Sequence, residues 1–231
     1  MSGAEEQQYR ETKQAAVALA KSKDFVKARE KFAEARELAA KGQDKKKEYG
    51  MLMRTGALCI DQPDFAAAEA SFKEALTIAE ANSEIGDGPL ASCLYQLSDV
   101  LQKEKRDSDA RPYLARCIEI SKRIYSSNHP SLAVRTGEYA SLISKLGDKE
   151  EGARLSSQSQ AEVNSFMDSM SQKIKKAWQP TTESFSYRVE VSYQVLNHGK
   201  VDKVEVAQSS GSAIADKAAI DAVKAGAPFS D

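Results

Sequence analysis

RTGALCIDQPDFAAAEASFKEAL, running from Arg54 to Leu76, reads as two short amphipathic helices joined by a turn at Asp61-Gln62-Pro63-Asp64. Gly56 stands twelve positions before Ala68, and Ala68 shares a helical face with Phe72 and Ala75. The same slots are filled upstream by Ala16, Ala28, Phe32 and Ala35. Downstream they hold Ser98, Ala110, Leu114 and Cys117, then Ala140, Gly152, Ser156 and Ser159. Within every unit the two small residues stay twelve apart, whereas the units follow one another at steps of 40, 42 and 42. Constant spacing inside a unit, with slack only between units, makes the helix pair the repeated object. Small residues are needed where the helices of a hairpin cross, because a larger side chain would push the axes apart. The bulky apolar residue one turn later then fills the space toward the next hairpin. The expected fold is an all-α superhelical solenoid of four helical hairpins over residues 1–160, followed at 161–231 by a small α+β domain.

That second region has a different texture. After the polar run Ser156 to Glu162, the residues Val163, Phe166, Met167, Met170, Ile174 and Trp178 form an apolar stripe on a helix that ends before Pro180. From Phe185 to Val195 the odd positions Phe185, Tyr187, Val189, Val191, Tyr193 and Val195 are apolar and the even ones polar, which predicts a half-buried strand. Asn197-His198-Gly199 predicts a hairpin turn. Lys200 to Gln208 is the return strand through Val201, Val204 and Val206; Asp202-Lys203 breaks its alternation and predicts a bulge. Ser209-Ser210-Gly211-Ser212 caps a helix from Ala213 to Ala225.

Composition narrows the function. Of 231 residues, 33 are Lys or Arg and 34 are Asp or Glu, so no global positive field exists to attract nucleic acid. Cys59, Cys93 and Cys117 form no C-x-x-C pair, and at helical packing slots they read as reduced, buried thiols. The start MSGAEEQQYRETK has no apolar export region, and no stretch reaches the roughly 18–20 apolar residues of a membrane span. As given, the chain is expected in the cytosol.

No convergent set of reactive groups can be assembled, so catalysis, cofactors and metals are not expected. His129 and His198 fall in turns without a neighbouring Cys, Ser or carboxylate constellation. The serine-glycine stretch at 209–212 lacks the lysine of a phosphate loop. Lys173, Lys175 and Lys176 flank the apolar stripe of the 163–178 helix; packing onto the sheet accounts for that stripe with fewer assumptions than membrane docking.

The repeat pattern, a small residue in the first helix and A-x3-F in the second, resembles the tetratricopeptide repeat, whose standard period is about 34 residues. The longer steps, and the turn Ser126-Ser127-Asn128-His129-Pro130 before a new helix, resemble the long-helix variant of kinesin light chains. The resemblance runs from about residue 8 to 160, with repeat four departing most and reading as a cap. It implies a non-enzymatic adaptor holding a peptide or partner helix in a groove lined by the first helices. By register the groove positions are Lys13 and Val17, Met53 and Ala57, Tyr95 and Asp99, with Gln102 and Lys103. A carboxylate clamp, as in one subgroup, is disfavoured: Lys13 fits, but Val17 and Gln96 stand where Asn and Arg are wanted.

The order Ile174, Trp178, Pro180, Gly199, Val201, Ser209-Ser210-Gly211, Asp216-Lys217-Ala218-Ala219, Ala222-Val223 and Pro228-Phe229 resembles the TonB C-terminal domain. In that family a helix, two strands, a second helix and a third strand follow one another; this chain ends at Asp231, where the third strand would begin. The resemblance implies a sheet edge open to another protein's strand, a second copy's included, and a bacterial envelope location, periplasmic with an export signal removed.

Overall fold

Aspartate starts the second helix in three of the four hairpins. In the computed structural model, which describes residues 2–125, 129–178, 188–195 and 199–229, the helices α1 (Gly3–Lys21), α2 (Phe25–Lys41), α3 (Lys45–Asp61), α4 (Phe65–Ala81), α5 (Asp87–Lys103), α6 (Asp107–Ile124), α7 (Pro130–Lys145) and α8 (Lys149–Ala177) follow one another. The carboxylates of Asp24, Asp64 and Asp148 accept from the backbone N–H three residues on, at 3.4, 3.2 and 3.0 Å, and satisfy otherwise orphaned donors of α2, α4 and α8. The corresponding residue before α6 is Arg106, which makes no side-chain cap and instead ion-pairs with Glu69, Glu104 and Asp109.

The chain divides into two compact units, residues 1–125 with 135–156, and residues 126–134 with 157–231. In the first, α1 to α6 pack each against the next. Every repeat slot in the first three hairpins is buried. Tyr9, Ala16, Ala28, Phe32, Ala35 and Ala39 share one core with Met51 and Leu58, so the first hairpin closes on the second. The Tyr49 hydroxyl donates to the Pro89 carbonyl at 2.7 Å, tying α3 to the start of α5. Pro89 is the third residue of α5, and its missing N–H falls in the first turn, where none is needed. In the fourth hairpin a Cβ on Gly152 would lie 3.0 Å from the Ala140 carbonyl oxygen, the close crossing that the spacing predicts. Ser156 there is exposed.

Cross-repeat ion pairs run along the second helices: Arg29 with Asp64, Arg36 with Glu74, Glu69 with Arg106, and Glu80 with Arg116. Each has at least one exposed partner, so such pairs contribute at most about 1 kcal/mol each, and the buried apolar slots carry the stack. Three buried side-chain polar atoms have no hydrogen-bond partner among the described residues: Gln62 Nε2, Thr136 Oγ1 and Glu162 Oε2. Thr136, on α7, is 1 % exposed and its hydroxyl has no partner among the described residues. Thr136→Val keeps the branched shape and removes the orphan hydroxyl, so it is expected to raise stability by about 1–2 kcal/mol; a lower urea midpoint for the variant would contradict this.

In the second unit β1 (Glu190–Val195) pairs antiparallel with β2 (Val201–Gln208), and α9 (Ala213–Gly226) follows. Val191, Tyr193 and Val195 are half-buried and alternate with exposed residues, as period two requires. Phe185 and Tyr187 lie outside the described residues, as do Pro180 and the Asn197-His198 part of the turn. The bulge is present: the pairing slips between Ser192 and Gln194, and Lys203 takes φ +50°. Ser212 caps α9, accepting from Ala215 N–H at 3.4 Å.

Two expectations are corrected. The polar run Ser156 to Glu162 does not divide two helices; it lies inside the continuous α8. Between Ala153 and Ala177 there is no Gly or Pro, and Ser, Gln, Ala and Glu cost too little helix propensity to end it. The apolar stripe is also narrower than expected. Phe166, Met170 and Ile174 pack with Tyr193, Val195, Val201 and Phe229, while Val163 and Met167 are 38 % and 53 % exposed.

Candidate functional cleft

Three of the groove positions chosen by register come together. Tyr95, Asp99 and Gln102 project from one side of α5 at helical spacing and line a cleft of about 140 Å³ with Ser98, with Leu114 of α6, and with Glu138 and Ser141 of α7. Leu114 is wholly buried and Ser98 is 1 % exposed, so the cleft has an apolar and a polar buried wall beneath charged residues.

The Tyr95 hydroxyl donates to Glu138 Oε1 at 2.8 Å and thereby joins α5 to α7. Arg135 stacks over the Tyr95 ring at 5.7 Å and the Tyr125 ring at 5.8 Å, and hydrogen-bonds the Ser121 hydroxyl. Burial pushes the Tyr95 phenol well above its ordinary pKa, helped by its bond to Glu138 and the negative charges of Glu138 and Asp99, against the opposing Arg135. Gln102 donates its amide to Ser98 Oγ at 3.3 Å, and Lys103 pairs with Asp99 one turn back.

Lys13 and Met53 stand apart from these residues. The Lys13 ammonium lies 5.6 Å from the centre of the Tyr9 ring, which Lys47 also approaches at 5.3 Å; Met53 is half-buried on α3. Lys47 bonds Glu6 at 2.6 Å, and that bond is the main cause holding the Lys47 pKa above its usual value and the Glu6 pKa below it.

Glu138 is the residue that reading the repeats missed. Carrying the register of Asp99 into repeat four, one residue beyond the first small slot, reaches Ser141, which does line the cleft. Glu138 sits two residues before that slot, where the other repeats hold Gln14, Arg54 and Gln96, and no periodic signal singles it out.

The remaining chemistry-bearing residues are occupied structurally. Cys59, Cys93 and Cys117 are buried and unbridged. Burial pushes the Cys93 thiol up to about 12 and raises the other two, so all three are protonated at neutral pH and poor nucleophiles. Cys93 donates to the Phe72 carbonyl at 3.2 Å and Cys117 to the Ala91 carbonyl at 3.1 Å. His129 Nδ1 accepts from the Ser131 N–H at 3.1 Å at the head of α7. The Asp216 carboxylate accepts from the Ser209 hydroxyl and from both Ser210 donors, which holds its pKa low and closes the serine-glycine stretch on itself as a helix cap. Among the described residues there is no group of three or more His, Cys, Asp or Glu that could hold a metal, and no helix long and apolar enough to cross a membrane.

Comparison with known proteins follows the same division. Residues 163–231 match the family model described as TonB C terminal, and residues 90–131, which carry α5 and α6, match that of the tetratricopeptide repeat. No curated protein matches the sequence. The chain is similar in structure to a kinesin light chain from Podosopora anserina with nearly identical TPR-like repeats, at 15 % identity and TM-score 0.56 over 67 % of this chain and 74 % of that one. It is also similar to the apo form of RapI, at 13 % identity and TM-score 0.61, over 76 % of this chain and 64 % of the other. A third likeness is to the Rap conjugation gene regulator of plasmid pLS20 in complex with the Phr* peptide, at 16 % identity and TM-score 0.51, covering 73 % of this chain and 45 % of that one. The third hairpin therefore matches a tetratricopeptide repeat, and the chain shares its helical-hairpin fold with a structure of TPR-like repeats.

Proposed function

We propose that this protein is a non-enzymatic interaction adaptor whose helical hairpins hold a peptide or partner helix along their first helices, with the Tyr95–Glu138 cleft as a principal contact, and whose 161–231 module makes a second contact. The observation that carries it is the convergence of Tyr95, Asp99 and Gln102, named from repeat register alone, on one cleft with Glu138 and Ser141. A neighbour of the same fold whose structure includes a bound peptide supports the reading. Its test is capture from the native cell of a partner crosslinked through a photoreactive residue at Gln102, followed by pull-down with Tyr95→Ala and Asp99→Arg. Recovery of that partner is expected to fall at least about tenfold, the effect of losing about 1.4 kcal/mol, with the circular dichroism melt retained. Undiminished recovery with both variants would overturn the assignment.

The match of residues 163–231 to the TonB C terminal family favours a second reading: an envelope protein, periplasmic, whose C-terminal sheet takes a strand from another protein or a second copy. Among the described residues that sheet has two strands, so each offers an outer edge to pairing. Fractionation of the native gene product decides the placement; recovery in the cytosol alone excludes the envelope reading and agrees with the adaptor at its simplest.

A further inference from the structure

The cleft between α5, α6 and α7 holds acceptors to which nothing donates. Asp99 gives Oδ2 to Lys103, Glu138 gives Oε1 to the Tyr95 hydroxyl, and Gln102 uses its amide nitrogen toward Ser98. Among the described residues, Asp99 Oδ1, Glu138 Oε2 and the Gln102 side-chain carbonyl accept from no donor. Ser98, almost wholly buried in the same wall, accepts from Gln102, and its own hydroxyl proton reaches no acceptor among those residues. Ser98 thus has one partner within the fold and a hydroxyl proton left for a second.

Resting on the adaptor reading above, we propose that this cleft receives the ammonium group of a lysine side chain on an extended partner peptide. An ammonium has three donors and no acceptor, which matches three unengaged acceptors, two of them carboxylate oxygens. The volume of about 140 Å³ lies below the ~300–1,000 Å³ of small-molecule sites and suits one side chain. Leu114 offers the aliphatic stem an apolar wall while the charged head meets the polar rim. A main-chain carbonyl of the same peptide supplies the acceptor that Ser98 wants. Two cations stand nearby: Arg135 is bonded to Ser121 and stacked over the ring of the lining residue Tyr95 and over Tyr125, and Lys103 engages a single oxygen of Asp99. The carboxylates of Asp99 and Glu138 are balanced in number by Lys103 and Arg135, but each keeps one oxygen that neither cation engages, and at those oxygens a cation is favoured over a carboxylate.

The test is an NMR titration of the full chain with N-acetyl-lysine N-methylamide, beside the norleucine and arginine analogues. The lysine compound is expected to give saturable shifts at the amides of Ser98, Gln102 and Glu138, with at least about tenfold tighter binding than norleucine. Glu138→Gln and Asp99→Asn, which keep shape and remove charge, should each weaken it about fivefold. Lys103→Met removes the internal competitor for Asp99 and should tighten it, a gain that damage to the fold cannot imitate. Absence of saturable shifts, equal binding of norleucine, preference for arginine, or no gain from Lys103→Met would each overturn the proposal. Cellular capture that depends on Tyr95 while the lysine compound shows no preference refutes this inference and leaves the adaptor standing; lysine selectivity without cleft-dependent capture does the reverse.

Discussion

Phe72→Ala is expected to destabilise the helical hairpins by about 3–5 kcal/mol, the largest effect of any single truncation in them. Phe72 is wholly buried on α4, and a Cβ on Gly56 of α3 would lie 2.5, 2.6 and 2.8 Å from three carbons of its ring. The Cys93 thiol of α5 also donates to the Phe72 carbonyl, so the second hairpin meets the third at this residue. Truncation leaves a cavity that three helices would have to close together. For a unit of this size the thermal midpoint should fall on the order of 10 °C. The partner experiment fixes the cause. Gly56→Ala alone drives a methyl into the ring and is expected to cost about 1–3 kcal/mol despite the better helix propensity of alanine. In a Phe72→Leu background the ring edge is gone, and the same alanine should be close to neutral. A double-mutant cycle coupling of at least about 1 kcal/mol follows. Strict additivity of the two changes would mean that the crossing, and with it the reason for the repeat, has been misplaced.

That steric relation is also why so much of the fold was legible. A close crossing constrains residue type at a fixed distance, so Ala16 with Ala28, Gly56 with Ala68, Ser98 with Ala110 and Ala140 with Gly152 announce hairpins before any coordinates, and all eight are buried. The bulge at Lys203 was legible for a similar reason, since one residue too many breaks period two. The extent of α8 was not, because the polar run at 156–162 is neutral toward helix continuation and neither starts nor stops one. Three of the seven residues lining the candidate cleft were legible as groove positions. Tyr95, Asp99 and Gln102 follow from helical register, whereas Glu138 reaches Tyr95 from 43 residues away and its identity there owes nothing to the repeat. Ser159 shows the same limit from the other side: its hydroxyl donates to the Ala133 carbonyl at 2.8 Å, a contact that answers a polar residue in an alanine slot.

Phe229→Ala should do to the second unit what Phe72→Ala does to the first, with a more complete result. Phe229 is 2 % exposed; its ring lies 6.1 Å from that of Tyr193 at 42°, and its core partners are Phe166, Met170 and Ile174. Its backbone N–H donates to the Gly199 carbonyl at 2.9 Å, and a Cβ on Gly226 would approach both its ring and the Ile174 nitrogen at 3.3 Å. Glycine at 226 therefore lets the end of α9 come down on α8 so that the aromatic ring can close the cluster. Removing that ring costs about 3–5 kcal/mol. A unit of about 84 residues holds only about 4–13 kcal/mol in total, so the loss consumes much of what keeps β1, β2 and α9 folded. Hydrogen exchange on the full chain should show protection collapsing across β1, β2 and α9 while α1 to α6 stay protected, with Phe229→Leu intermediate at about 1 kcal/mol. Equal loss of protection in α3 to α5 would show instead that the two cores melt as one, and the separate cluster around Phe229 would no longer explain the stability of the strands.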